Sequence, residues 1–140
     1  MLNEINSTTA TYRWDAARGT LTPLQVITTL PTDFTGYSTS AEIAVSPDGR
    51  FVYCSNRGHD SVAIYAANAE GLLSPVGWQS TRGGGPRFIG LDPSGRFLNA
   101  ANETGDNVVT FRVDPTSGKL DPTGQVIANA SPVTIVYTGK

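Results

Sequence analysis

The chain repeats itself. Residues 44–65, "AVSPDGRFVYCSNRGHDSVAIY", align with residues 90–111, "GLDPSGRFLNAANETGDNVVTF", at a constant offset of 46. Pro47, Gly49, Arg50, Phe51, Asn56, Asp60 and Tyr65 meet Pro93, Gly95, Arg96, Phe97, Asn102, Asp106 and Phe111. The register slips by one where Gly71, Leu73, Pro75 and Gly77 meet Gly118, Leu120, Pro122 and Gly124, and it returns at Pro86 and Pro132. A third, partial copy opens the chain, where residues 3–23 follow residues 102–122 at an offset of 99. Turn residues and alternating apolar positions match together, so the unit that repeats is a supersecondary structure. Such a unit cannot bury its apolar face alone and must stack on its neighbours.

Within one repeat the pattern is all strand. "EIAV", "RFVYCSN", "SVAIYAA" and "LLSPVGWQS" are short and rich in β-branched and aromatic residues. "SPDG" and "DPSG" are tight turns, with Pro at the position of fixed φ and Gly at the position of positive φ. Four strands in about 46 residues is the spacing of a β-propeller blade. The predicted fold is therefore all-β, a β-propeller fragment of four-stranded antiparallel blades, their strands labelled A to D from the central channel outward. Residues 1–30 supply strands C and D of one blade, 41–82 a full blade, 87–129 a second, and 132–138 the inner strand of another. These pieces do not close a ring, and further N-terminal blades are expected to complete it.

Composition removes several function classes. The 140 residues carry a formal net charge of −2, and lysine occurs only at Lys119 and Lys140. No basic field is present to attract nucleic acid or an anionic membrane. The apolar runs are too short to span a bilayer. The opening "MLNEINSTT" lacks the basic and apolar regions of a signal peptide, and one cysteine, Cys54, suits a reducing compartment. A cytoplasmic location is the expectation.

A blade is an up-and-down meander, so its A–B and C–D turns share one face and its B–C and D–A turns share the other. Glu42 at the start of strand A, Arg57 and His59 in a B–C turn, and Arg87 in a D–A connection fall on that second face. Asn56, Asn102, Asp60 and Asp106 recur and read as turn scaffolding. Arg57, His59 and Glu42 do not recur, because Glu103, Gly105 and Phe88 occupy the matching positions. The connection 31–42 is elongated on the same rim, and its Phe34 and Tyr37 are placed to cover a pocket. The four polar side chains are predicted to point into one depression at the channel mouth.

These residues resemble a known family. "NEINSTTATYRW", the connection running through "FTGYSTSAEI" into "SNRGH", the "GPR" segment and the closing "ASPVTIVY" look like the last three blades of the lactonase family of seven-bladed propellers. The resemblance implies hydrolysis of a sugar-acid lactone, with 6-phosphogluconolactone to 6-phosphogluconate in the pentose phosphate pathway as the first choice. A muconate-type lactonising cyclase and a non-enzymatic binding module are the alternatives. The family's polar channel-mouth cluster maps onto Glu42, Arg57 and Arg87, with His59 adjacent and Tyr37 on the substrate side.

The chemistry suits these types. Arginine forks bind phosphate or a developing oxyanion bidentately, and His59 or Glu42 serves as a base for water. The sequence contains no metal-ligand set and no nucleophile motif, so no cofactor and no metal are expected. The expected partner is a small anionic lactone, with neither nucleic acid nor membrane.

Overall fold

The computed structural model describes residues 1–138. Among these residues eleven strands form three antiparallel sheets. The first sheet contains β1 (Leu2–Asn3), β2 (Thr8–Asp15) and β3 (Thr20–Thr28). The second contains β4 (Thr39–Val45), β5 (Phe51–Arg57), β6 (Ser61–Ala67) and β7 (Leu73–Ser80). The third contains β8 (Pro86–Leu91), β9 (Phe97–Asn102), β10 (Asn107–Val113) and β11 (Leu120–Ala128). Each sheet follows chain order, as a meander must. Among the described residues no helix is long and apolar enough to cross a membrane.

Two expected features differ. The first sheet has three strands, because Leu2 and Asn3 pair with Thr9 and Thr8 as a short length of strand B. The stretch 132–138, read as an inner strand, joins no sheet. Without a neighbouring strand its backbone has no ladder to enter, and Tyr137 anchors it instead. The Tyr137 hydroxyl donates to the Gly90 carbonyl at 2.9 Å and accepts the Asn99 amide at 2.9 Å.

The central strands β5 and β6 of the middle sheet are buried on both faces, so "FVYCSN" is buried throughout rather than alternating. Phe51, Tyr53, Val62 and Ile64 face the third sheet and pack with Ile89, Leu98, Val109 and Phe111. Val52, Cys54, Ala63 and Tyr65 face the first sheet with Ile27 and Ile43. Each large side chain so buried contributes about 1.5–3 kcal/mol relative to exposure. Cys54 belongs to this core, and burial pushes its thiol up to about 12, so it packs as a small hydrophobe.

Polar tips also bridge the sheets. The Tyr53 hydroxyl donates to the Gly118 carbonyl at 3.0 Å, the Tyr65 hydroxyl to Thr28 at 2.7 Å, and the Trp78 indole to Thr29 at 2.8 Å. Trp14 lies outside this scheme, 59% exposed on the first sheet. The outer strands place Pro23, Pro75 and Pro122 opposite Tyr12, Tyr65 and Phe111, and an edge strand tolerates the missing donor.

The recurring asparagines are structural. Asn56 is fully buried, and its Oδ1 accepts from the Thr29 hydroxyl at 2.7 Å and the Ser40 hydroxyl at 3.1 Å. Its amide donates to the Thr29 carbonyl at 2.7 Å. Asn102 donates to Thr81 and Asn107, but its Oδ1 is buried without a partner. The two positions therefore differ in what they hold. Asn56→Ala is expected to lower unfolding free energy by about 3 kcal/mol, and Asn102→Ala by about half as much. Equal losses in denaturant titrations would show that the partner count is irrelevant.

The tight turns carry their own carboxylates. Asp48 accepts the Ser46 hydroxyl at 2.6 Å and the Arg50 N–H at 3.0 Å, and it pairs with the Arg50 guanidinium at 2.7 Å. These bonds, the Ser46 hydroxyl first, lower its pKa to about 2. A folded value below the unfolded one of about 3.9 gives stability that is complete above about pH 4 and lost as pH falls towards 2. Asp114 is lowered in the same direction by the Ser117 and Thr116 N–H groups. The melting temperature should accordingly fall between about pH 4 and pH 2, and less steeply in Asp48→Asn. An identical slope in that variant would remove Asp48 from the account.

Candidate functional site

The B–C turn of the middle sheet is built by geometry that only certain residues allow. Gly58 has φ +100°, and a side chain there would strike the Tyr37 backbone carbonyl. Asp60 adopts φ +52°, and its Oδ1 accepts the Gly58 N–H at 3.1 Å and the Gly85 N–H at 2.8 Å. Asp106 has φ +50° and takes the Ser131 N–H at 2.8 Å in the same manner. The recurring aspartates thus tie each B–C turn to the following D–A connection, as turn scaffolding should.

His59 sits on this turn, half-buried. Its Nδ1 lies 2.6 Å from the buried Ser61 hydroxyl. The Phe34 ring meets the imidazole edge-on, with centroids 4.8 Å apart and planes at 74°. The long connection therefore folds back onto the turn, with Phe34 on His59 and the Tyr37 backbone beneath Gly58. The Tyr37 side chain itself is 84% exposed.

Arg57 reaches away from its own sheet. Its Nη2 bonds the Glu4 carboxylate on the first sheet's B–C turn and the Ser40 carbonyl at 3.3 Å. Its Nε is buried without a partner. Glu42 was the acid expected beside this guanidinium, whereas the ion pair is made by Glu4. The cause is the docking of the first sheet's turn, where the Ser40 N–H donates to the Glu4 carbonyl at 3.0 Å and the Ser7 hydroxyl to Ser38 at 3.0 Å. Glu4 was legible only in hindsight of the repeat, since Glu4, Arg57 and Glu103 occupy matching positions with alternating sign.

Glu42 and Arg87 share a feature the sequence did not announce. Strand β4 carries a bulge between Ser40 and Ile43, and β8 one between Pro86 and Phe88. Each inner strand thus has an extra residue where it leaves the rim, a device that re-aims side chains beside sites. Glu42 accepts the Ile43 N–H on its own Oε1 at 3.1 Å, and its N–H donates to Ser55 Oγ at 3.0 Å. Arg87 is exposed and makes no ion pair among the described residues.

The structure brings Arg57, His59, Phe34 and the Tyr37 backbone into one turn assembly. Glu42, expected at the start of its inner strand, lies within β4 at its bulge, and Arg87 lies at the bulge of β8. Three cavities of about 350, 410 and 310 Å³ lie elsewhere, and none has Glu42, Arg57, His59 or Arg87 in its wall.

Three stacked antiparallel meanders, the central strands of the middle one buried on both faces, make this chain part of a β-propeller. Residues 1–137 match the family described as lactonase, 7-bladed beta-propeller, and the chain belongs to that family. The 6-phosphogluconolactonase of Bacillus subtilis (strain 168) is 35% identical over 138 residues, covering 98% of this chain and 40% of that protein. A crystal structure of a Lactobacillus plantarum protein superimposes with TM-score 0.91 at 35% identity, over 94% of this chain and 39% of that one. The Pseudomonas aeruginosa periplasmic gluconolactonase superimposes with TM-score 0.87 at 32% identity, over 94% and 36%. The chain thus spans less than half the length of each of these proteins.

The contact between Gly58 and Tyr37 is open to a direct test. Gly58→Ala adds both a clash with backbone and an unfavourable φ, and should cost about 2 kcal/mol or more. Gly49→Ala, with φ +73° but open space around it, should cost only about 1 kcal/mol. Equal shifts in melting temperature would mean that the long connection does not seat on Gly58.

Proposed function

We propose that this chain supplies part of the channel-mouth site of a propeller that hydrolyses a sugar-acid lactone, 6-phosphogluconolactone to 6-phosphogluconate, in the pentose phosphate pathway. The observation that carries the reading is the alignment of 98% of the chain with a protein named for that reaction. The rim chemistry supports it. Hydrolysis adds water to the lactone carbonyl, develops negative charge on the carbonyl oxygen, and then breaks the ring C–O bond. Two arginines on one face suit the two anionic tasks, charge on that oxygen and the substrate's phosphate.

His59 is assigned the proton. With Nδ1 engaged by Ser61, Nε2 is the atom left to take a proton from water and return it to the leaving ring oxygen. Glu42, one oxygen of which holds the Ile43 N–H, is assigned to orient the water or a sugar hydroxyl. Tyr37 would close over the ring from the long connection. A phosphorylated sugar is too polar to cross a bilayer unaided, which supports a cytoplasmic site of action. The periplasmic relative is named a gluconolactonase, without the phosphate.

The test needs a full-length propeller. Joined to the N-terminal portion of the Bacillus subtilis relative, the chain should accelerate 6-phosphogluconolactone hydrolysis above the spontaneous rate. Arg57→Ala should lower kcat/KM by about 10²-fold if it meets the oxyanion, while Arg87→Ala tests the remaining task. Unchanged rates in both variants would remove the rim from catalysis. Opening of a muconolactone, with the phosphorylated lactone untouched, would replace the substrate.

A further inference from the structure

The face opposite the proposed site carries arginines of its own, and the repeat shows why they are unusual. In the turn "SPDGR", Asp48 neutralises Arg50, whose Nη2 also bonds the Pro115 carbonyl at 2.7 Å. In the matching turn "DPSGR", Ser94 stands where Asp48 would be, and the Arg96 Nε–H donates only to the neutral Ser94 hydroxyl at 3.3 Å. The acid has moved to Asp92, where it accepts the Phe97 N–H at 2.8 Å and the Ser94 hydroxyl at 2.6 Å within its own turn. A second arginine is added nearby. Arg112 takes the place that Ala66 occupies in the middle repeat.

Both charges are gathered on one aromatic ring. The Arg112 guanidinium lies 5.2 Å and that of Arg96 6.0 Å from the Phe97 centroid, within the range of cation–π attraction. Neither makes an ion pair among the described residues. They line a cavity of about 350 Å³ between the middle and third sheets, with Pro47, Phe51 and Pro115 as its apolar walls. That volume is within the range of small-molecule sites. All its walls come from the two four-stranded sheets, so the cavity is complete in this chain.

We propose that this cavity is a second binding site, for a small organic phosphate of sugar-phosphate size. Arg96 and Arg112 form the bidentate clamp on the phosphate, and the proline and phenylalanine walls receive the carbon skeleton. Asp48, in the wall, is held by Arg50 and by its own turn, so it neither closes the clamp nor joins it. The site lies on the A–B turn face and is independent of the rim at Arg57 and Arg87.

Equilibrium dialysis of glucose 6-phosphate and of inorganic phosphate against the 140-residue chain tests it. Saturable glucose 6-phosphate binding, tighter than inorganic phosphate, is expected. The double variant Arg96→Gln/Arg112→Gln should weaken it at least tenfold, and both positions are exposed enough to keep the fold. Arg57→Gln/Arg87→Gln should leave the component that depends on Arg96 and Arg112 unchanged. Loss of that component in the rim variant instead, equal binding of inorganic phosphate, or no saturable binding at millimolar concentration would each overturn the proposal. Failure here leaves the lactonase reading standing, because that reading uses the other face.

Discussion

A buried side-chain amide holds the rim on which everything else stands. Asn56 joins the end of β3 through Thr29, the start of β4 through Ser40, and its own strand, all without water access. An amide with one strong acceptor and two donors is the side chain able to do this. Removing it would strand the carbonyl and hydroxyl groups it satisfies, and their desolvation is the larger part of the energy at stake. Because Ser40 and Arg57 flank this junction, its geometry fixes where the guanidinium begins. Glu4 and the Ser40 carbonyl then fix where it ends.

The architecture was legible because its signals are local and doubled. The 46-residue offset aligned turn glycines with apolar alternation, and each signal alone would have been weak. The continuous burial of β5 and β6 departs from the alternation expected of these segments, because buried Ser55, Asn56 and Ser61 continue the apolar runs. What escaped was whatever depends on a second sheet or on backbone irregularity. The pairing of Arg57 with Glu4 joins residues 53 apart, and no local pattern sets that choice. The bulges at Glu42 and Arg87 change direction by one residue, which leaves hydrophobic periodicity nearly untouched. Residues 132–138 have the composition of a strand, but a strand exists only where a neighbour supplies the ladder.

A division of labour among the charged residues follows. The turn acids are committed locally: Asp48 and Asp114 to their own turns, and the recurring Asp60 and Asp106 to the connections that follow. Such bonds lower the pKa of Asp48 and Asp114, and all four carboxylates already have hydrogen-bond partners. A ligand meets instead the charges that these acids do not hold. On one face these are Arg57, Arg87, Glu42 and the titratable His59, and on the other Arg96 and Arg112, released by the exchange of Asp48 for Ser94. This is how one blade pattern, copied with few alterations, can present two chemically different faces.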